Sequence, residues 1–169
     1  MVVAKLTRVL ENDKGGKYML IKDIMTTDVI TVTEDDTVEK CANLLSVHNL
    51  SGLPVVDGQG FVKGIVTEGD LIRRSSRIKA PAFLEILGGI IYLENPNKYL
   101  EEVKKSMGHF AKNVMSESVT TVSPDVEVEE AATILVREKI KRLPVINNEG
   151  QLIGIVSRKD IMNYLFHTE

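Results

Sequence analysis

Cysteine and aromatic residues are scarce in this sequence. It contains one cysteine, no tryptophan, four tyrosines and four phenylalanines in 169 residues. A single cysteine cannot form a disulfide within the chain, and Cys41 falls on the apolar stripe of a predicted helix, where we expect a small buried hydrophobe. The three histidines, His48, His109 and His167, have no ligand spacing, so no metal site is expected.

The sequence also lacks the features of membrane proteins and nucleic-acid-binding proteins. It has no run of about 18 apolar residues and no apolar signal core followed by a small-residue cleavage site, which favours a cytoplasmic protein without a membrane partner. The net charge of −3 argues against nucleic-acid binding, which needs a basic footprint. The few aromatic side chains would provide little stacking surface for single strands.

Catalytic constellations are missing as well. We find no paired acid and base, no nucleophile with a nearby base and no glycine-rich phosphate loop of the Walker type. The expectation is therefore a protein that is not an enzyme and has no catalytic cofactor.

What the sequence does contain is an internal repeat. Residues 22–72 align with residues 112–162 at a constant offset of 90 without a gap, and 18 of the 51 pairs are identical. The identities include a Leu-Pro-Val tripeptide at 53–55 and 143–145 and a Gly-Ile-Val tripeptide at 64–66 and 154–156. One fold is therefore written twice, and a pseudo-two-fold relation between the copies is expected.

Each copy predicts the order strand, helix, strand, strand, helix. Val29–Val32 is short and β-branched, as strands are, and apolar residues at helical spacing follow it. In the second copy Ser123-Pro124 is a candidate N-cap and first helical residue. The Leu-Pro-Val and Gly-Ile-Val runs, separated by turn residues such as Asp57-Gly58, predict a hairpin. A last helix begins near Glu68 in the first copy and near Arg158 in the second.

Packing of the two copies follows from their composition. A three-stranded sheet with two helices on one face leaves its other face apolar and uncovered. We expect the second copy to cover it, with the sheets face to face around a shallow cleft, in an α/β fold of the α+β type. The predicted divisions are an N-terminal arm (1–20), the first copy (21–75), a helical linker (76–110) and the second copy (111–166).

The predicted linker has two parts. An apolar stretch at 81–92, interrupted by Gly88-Gly89, either folds back on its own domain or packs on a second subunit. A helix is predicted at Lys98–Met107.

The repeated residues resemble proteins with paired CBS domains, named after cystathionine beta-synthase. The resemblance rests on the Met25-Thr26 and Met115-Ser116 pairs, the Leu-Pro-Val and Gly-Ile-Val strands and the Thr/Ser-x-x-Asp step, and it covers about 100 residues. It implies two CBS-type β-α-β-β-α repeats packed sheet to sheet, which associate as a homodimer. It also implies an adenosine-containing ligand, such as AMP, ADP, ATP or S-adenosylmethionine, whose occupancy is passed to a separate, unidentified effector protein.

The resemblance further implies a ligand site in each copy. Thr67–Asp70 has the form of a helix capping box. The Asp70 carboxylate would also accept hydrogen bonds from ribose hydroxyls, and the Thr67 hydroxyl would suit a phosphate or ribose oxygen. Ser157 and Asp160 would act in the same way in the second copy. The alternative is that these four residues only cap their helices.

An adenine ring needs a flat apolar slot. The resemblance forms it from the segments at 25–30 and 115–120 and the central strands. The candidates are Met25, Val29, Ile30, Pro54, Ile65, Met115, Val119, Thr120, Pro144 and Ile155. Plain core packing is the alternative, and it is expected for Val55, Leu143 and Val145.

Phosphate recognition is where the copies differ. Lys141-Arg142 precedes the Leu-Pro-Val strand in the second copy, and Ser51-Gly52 precedes it in the first. In related pairs a basic residue at this point reaches the phosphates, and Arg142 is favoured because a guanidinium forms two parallel hydrogen bonds with phosphate. Ser51 would add a hydroxyl. Solvated surface charge is the alternative for Lys141 and the expectation for Lys139.

The two predicted sites should therefore be unequal. Glu68 in the first copy would repel a phosphate, whereas the second copy has Arg158 at this position. We expect the site that uses Ser157 and Asp160, with Arg142 near it, to bind more tightly.

Two functions remain open from the sequence. The first is a regulatory module that senses a nucleotide through a shift between arrangements of its copies. The second is a ligand-free structural or interaction module that promotes dimerisation and has clefts filled by side chains.

Overall fold

The two sequence repeats have the same succession of helices and strands in the computed structural model, which describes residues 18–75, 83–86, 89–92, 97 and 108–166. The first repeat contains α1 (Ile21–Ile24), α2 (Val38–Val47), β1 (Gly52–Val56), β2 (Val62–Thr67) and α3 (Glu68–Ser75). Strands β3 (Phe83–Ile86) and β4 (Gly89–Tyr92) follow. The second repeat contains α4 (Ala111–Val114), α5 (Val128–Arg137), β5 (Arg142–Ile146), β6 (Leu152–Ser157) and α6 (Arg158–Phe166).

Each repeat is built on one antiparallel hairpin. Strands β1 and β2 pair in the same register as β5 and β6, so that Gly52 lies opposite Thr67 and Arg142 opposite Ser157. Gly60 and Gly150 follow the two turns with φ of +87° and +88°, a backbone region that glycine adopts without steric cost. The hairpin and the final helices that begin at residues 68 and 158 are confirmed.

The predicted first strand is wrong as a regular strand. Of Val29–Val32 only Val32 joins a sheet, through a parallel bridge to Val55. Its N–H donates to the Pro54 carbonyl at 3.1 Å, and its carbonyl accepts from Val56 N–H at 2.8 Å. Thr26, shortly before it, pairs with Ile155 of the other repeat. Because the chain crosses between repeats over this stretch, it cannot remain in one ladder.

The short helices exchange partners between the repeats. Helix α1 belongs to the first repeat in sequence, yet its Ile21 N–H donates to the Val126 carbonyl at 2.9 Å and its side chain lies in the core of the second repeat. Helix α4 packs in turn on the first repeat, where Ala111 N–H donates to the Asp36 carbonyl at 2.7 Å. Each core is thus completed by the segment that precedes the other repeat.

Reciprocal contacts of this kind are what a pseudo-two-fold relation requires. Lys22 forms an ion pair with Asp125 at 2.7 Å, and the aligned residues Lys112 and Asp35 form the matching pair at 2.7 Å. The hairpins also meet at their turns, where a bridge joins residues 61 and 151. The repeats therefore share one continuous interface.

Helices α2 and α5 bury the predicted apolar stripe. Cys41 and Leu45 are buried as expected, and so are their equivalents Ala131 and Leu135. The predicted cap at Ser123-Pro124 is wrong, because α5 begins at Val128. The Pro124 carbonyl accepts from Lys22 N–H at 2.9 Å, so it is engaged by α1 and not by a first helical turn.

The segment between the repeats contains a second antiparallel strand pair among its described residues. Strands β3 and β4 form an antiparallel pair with Phe83 opposite Tyr92 and Ile86 opposite Gly89. The predicted helix at 98–107 and most of the N-terminal arm lie outside the described residues. Within the described ranges no helix combines the length and apolarity needed to cross a membrane.

Candidate functional site

The capping box of α3 is formed and places a carboxylate at the repeat boundary. Asp70 Oδ2 accepts from Thr67 N–H at 2.9 Å and from Thr67 Oγ1 at 2.6 Å, and Asp70 N–H lies 3.3 Å from Thr67 Oγ1. Asp70 Oδ1 accepts from Arg73 Nη2 at 2.8 Å. Asp70 is 7% exposed, so its charge is buried and oriented. The capping interpretation is confirmed for this residue, and a ligand role is compatible with it.

The second repeat forms the same box. Asp160 Oδ2 accepts from Ser157 N–H and from Ser157 Oγ, both at 2.7 Å. The neighbouring Arg158 points away from it, since its guanidinium donates to the carbonyls of Ile140 at 2.9 Å and Leu135 at 3.2 Å. Arg158 is therefore engaged at the C-terminal end of α5.

A cavity of about 440 Å³ opens beside the first of these boxes. From the first repeat it is lined by residues around the end of β2 and the start of α3: Ser51, Ile65, Thr67, Glu68, Gly69, Asp70 and Arg73. From the second repeat it is lined by the segment after α4 and the segment before β5: Ser116, Ser118, Val119, Thr120, Lys139, Ile140, Lys141 and Arg142. We call this space the Asp70 cavity.

The exchange of short helices explains why both repeats line the Asp70 cavity. Because α4 packs on the first repeat, the chain leaves it beside β2, where Ser116 N–H donates to the Ile65 carbonyl at 2.9 Å and Ile65 N–H donates back at 3.0 Å. Val119 and Thr120 of the second repeat are thereby brought to Asp70 of the first. The sequence predicts these residues as part of a site but leaves open which copy supplies which wall.

Basic side chains predominate in the cavity wall. Among the residues that the structure describes, four basic and two acidic side chains line it. Lys139, for which the sequence predicts a surface charge, is one of them. The site therefore attracts anions even though the whole chain is acidic.

Arg142 is the most buried of these cations. It is 6% exposed, its Nη2 donates to Ser51 Oγ, and its buried Nη1 has no acceptor among the described residues. Burial lowers the pKa of the Arg142 guanidinium from its ordinary value, and the Glu68 carboxylate opposes this effect. An unpaired buried donor of this kind costs on the order of 1–3 kcal/mol.

The position of the Arg142 guanidinium differs from the sequence interpretation, which placed it near Asp160. The Arg142 backbone pairs with Ser157, but its guanidinium lies against the first repeat and lines the Asp70 cavity. The reason for expecting tighter binding beside Asp160 is therefore wrong, because the cation that motivated it serves the other box.

The predicted site residues separate into two groups. Lining the Asp70 cavity are Ser51, Ile65, Thr67, Asp70, Val119, Thr120, Lys141 and Arg142. Outside it are Met25, Val29, Ile30, Gly52, Pro54, Met115, Pro144, Ile155, Ser157 and Asp160. Met115 is a core residue whose sulfur lies 2.5 Å from where a Cβ on Gly64 would stand, and Met25 takes the equivalent place over Gly154.

Several wall residues are absent from the sequence prediction. Gly69, Arg73 and Ile140 line the cavity, and Arg73 carries a recognisable signal because it lies one helical turn after Asp70. Ser118, which also lines it, falls within the predicted segment at 115–120 although it is not named there. For Ile140 no local signal exists, since its place depends on the exchange of short helices. Among the described residues no group of three or more metal-ligating side chains is assembled.

Comparison with known proteins gives a consistent result. A model of the CBS domain family matches residues 21–77 and 111–167. An uncharacterized protein of Methanocaldococcus jannaschii is 31% identical over 158 residues, which cover 89% of this chain and 94% of the relative. Inosine-5'-monophosphate dehydrogenase of the same organism is 31% identical over 140 residues, but the match spans 83% of this chain and 22% of the enzyme. The similarity to that enzyme is therefore confined to a small part of it.

Among solved structures, the crystal structure of CBSX2 in complex with AMP, a protein of Arabidopsis thaliana, is similar throughout. It is 26% identical with a TM-score of 0.72, and the match covers 88% of this chain and 96% of that one. The chain therefore has the α+β fold of that structure.

Proposed function

The chain belongs to the CBS domain family as a tandem pair of repeats, and on that basis we propose that it is a non-catalytic regulatory module. It binds an adenosine-containing ligand, such as AMP, ADP, ATP or S-adenosylmethionine, in the cleft between its repeats. Occupancy changes the relative arrangement of the repeats, and a separate effector protein responds to that change.

The observation that carries the proposal is the composition of the Asp70 cavity. It combines a buried carboxylate, a hydroxyl and a buried guanidinium from both sides of the repeat boundary. Its volume of about 440 Å³ lies within the range of small-molecule sites. The complex of CBSX2 with AMP supports an adenosine ligand, because that protein is similar along nearly its whole length.

Asp70 would hold the ribose. Its carboxylate already accepts two bonds from Thr67 and one from Arg73, and a carboxylate offers about four acceptor positions. A ribose with two hydroxyls would therefore replace the Arg73 bond. The buried carboxylate would stay fully hydrogen-bonded after that replacement, and the Arg73 side chain, which is 73% exposed, would return to water.

The bound ligand would also contact both ends of the segment that connects the two repeats. Asp70 lies on α3, which runs towards the segment between the repeats, and Ser116–Thr120 leads out of that segment. A molecule bound to both would favour one relative arrangement of the repeats over others.

We expect Asp70→Asn to weaken AMP binding by about tenfold or more, because a charged acceptor of the ribose hydroxyls is lost. The matched control is Asp160→Asn, which disrupts the same capping box in the second repeat. Both variants should lose about 1 kcal/mol of stability, measured by thermal unfolding, but only Asp70→Asn should weaken binding at this cavity, measured by calorimetry. Equal AMP affinity of wild type and Asp70→Asn would contradict the proposed site.

A ligand-free interaction module is the second candidate. Ile72 and Met162 occupy aligned positions on α3 and α6 and are 70% and 54% exposed, which makes a pseudo-symmetric apolar surface suited to a second copy. A thermal-shift screen separates the candidates, because a ligand that binds the native state raises the melting temperature. No shift with AMP, ATP or S-adenosylmethionine would favour the interaction module.

A further inference from the structure

The Asp70 carboxylate is nearly saturated by its own chain. A carboxylate offers about four acceptor positions on its two oxygens. Asp70 Oδ2 accepts from Thr67 N–H at 2.9 Å and from Thr67 Oγ1 at 2.6 Å, and Oδ1 accepts from Arg73 Nη2 at 2.8 Å. A ligand that approaches this buried side chain therefore finds a single position, on Oδ1, that it can use without displacing a protein group.

Arg73 is not required for the capping box that it joins. The aligned residue in the second repeat is Asn163, yet Asp160 Oδ2 accepts from Ser157 N–H and from Ser157 Oγ, both at 2.7 Å, in the same pattern. Oδ1 of Asp160 accepts no hydrogen bond from the residues that the structure describes. The arginine is therefore an addition to the first box and not a part that the fold demands.

The bond between Arg73 and Asp70 borders the space that a nucleoside would enter. Both residues line the Asp70 cavity, and the Arg73 side chain is 73% exposed whereas that of Asp70 is 5% exposed. Gly69, between them in sequence, adds no side chain over the bond, since a Cβ there would stand 3.9 Å from Arg73 Nη2. A mobile charged donor thus holds one acceptor position of a buried carboxylate from the cavity side.

Building on the proposed function, we infer that Arg73 competes with the ligand for Asp70 and sets how much a second ribose hydroxyl contributes to binding. One hydroxyl can use the unoccupied position on Oδ1, but a second one needs the position that Arg73 Nη2 holds. A ribose gains its second bond only by breaking an existing charge-assisted one. Its two hydroxyls therefore contribute little more than the single ring hydroxyl of a 2'-deoxyribose, and the affinity of the free chain is reduced by one of its own side chains.

The test is calorimetric titration of the full chain with adenosine and 2'-deoxyadenosine, which carry no charge and differ in one hydroxyl. Wild type should bind adenosine at most about threefold more tightly than 2'-deoxyadenosine, because one bond is exchanged for another. Arg73→Gln should bind adenosine about tenfold more tightly than wild type does, a gain between that expected for an exposed ion pair and for a buried charge-assisted bond. Its affinity for 2'-deoxyadenosine should change by less than about twofold, since one free position already serves one hydroxyl.

Two controls locate the effect. Arg137→Gln removes the same charge from an exposed arginine paired with Glu138 and should leave both affinities as they are in wild type. In the double variant Asp70→Asn/Arg73→Gln the charged acceptor is gone, so the increased preference for adenosine should disappear with it. A general change in the shape of the cavity would shift both nucleosides together, and the ratio of their affinities therefore reports the competition.

An unchanged or weaker affinity of Arg73→Gln for adenosine would overturn the inference, and so would an equal gain for both nucleosides. A wild-type preference for adenosine as large as that of the variant would also overturn it. Because Arg73 is exposed, the variant should fold, and thermal unfolding checks this. Binding of both nucleosides with the same ratio in wild type and variant would refute only this inference, whereas binding of neither adenosine nor AMP would refute the proposed function as well.

Discussion

At the scale of single residues, Lys139 is a cavity residue with a strained backbone. It follows α5 with φ of 56°, and the aligned Asn49 follows α2 with φ of 53°. This left-handed region suits glycine and is tolerated by asparagine, but it costs other residues about 1–2 kcal/mol. At Lys139 an unfavourable backbone conformation is thus combined with a positive charge at the cavity wall.

We expect Lys139→Gly to stabilise the protein by about 1 kcal/mol, because glycine relieves the strain, and to weaken AMP binding, because a cation is lost from the wall. Asn49→Gly changes the same helix end away from the cavity and should alter neither property much. Chemical denaturation and calorimetry on the three proteins check this. A Lys139→Gly variant no more stable than wild type would contradict the strain argument.

At the scale of elements, α2 and α5 start in different ways although their sequences align. Helix α2 is capped by Thr37, whose Oγ1 accepts from Lys40 N–H at 3.1 Å, whereas Glu127 before α5 makes no side-chain cap. The turn before α2 is held by Asp36, which accepts from Thr33 N–H at 2.8 Å and from Lys40 Nζ at 2.7 Å. The hydrogen bonds from Lys40 and then Thr33 hold the pKa of the Asp36 carboxyl below its ordinary value.

The lowered pKa of Asp36 predicts a loss of stability in acid. A carboxyl whose pKa is lower in the folded than in the unfolded state stabilises the fold above the unfolded value, near 3.8, and this contribution disappears as the pH falls through the folded value. Asp36→Asn should therefore be about 0.5–1 kcal/mol less stable than wild type at neutral pH and should lose less on acidification. Urea unfolding of both proteins between about pH 7 and pH 3 measures how the free energy of unfolding depends on pH.

The control for this prediction is Asp28→Asn, which removes the same charge at an exposed position. An Asp36→Asn variant whose stability declines in acid as steeply as that of wild type would show that this carboxyl is not responsible.

At the scale of the whole molecule, the exchange of α1 and α4 makes the repeats depend on each other. Ile21 is fully buried and lies in the core of the second repeat, whereas α4 contributes Ala111 and Val114 to the core of the first. Neither core is complete without a segment from the other half of the chain, so the two repeats should unfold together.

We expect Ile21→Ala to destabilise the protein by about 2–5 kcal/mol, the usual range for truncating a buried isoleucine. The control is Val47→Ala, which shortens an exposed valine and should change stability by less than about 0.5 kcal/mol. Urea unfolding measures both. Because the repeats unfold together, hydrogen exchange should accelerate in α5 and β5 of the second repeat as well as in β1 and β2 of the first. Acceleration confined to the first repeat would contradict the exchanged arrangement.

Local patterns in the sequence are sufficient to predict the repeat, its hairpin and the two longer helices of each copy, but not the short helices α1 and α4. The constant offset of 90 predicts two copies of one fold, and the apolar runs of β1 and β5 predict buried strands, because strand and helix periodicities are properties of neighbouring residues. The sequence also places the carboxylates of Asp70 and Asp160 correctly at helix starts, since a capping box is complete within four residues.

Only the tertiary structure decided which half of the chain completes which site. Two aligned copies offer similar surfaces, and long-range packing of α1 and α4 determines that Val119 and Thr120 join Asp70 rather than Asp160. The direction of Arg142 is likewise undetermined by its own neighbours. It depends on the space left by Gly52, a residue 90 positions earlier in the sequence, because a buried side chain goes where the opposing surface leaves volume for it.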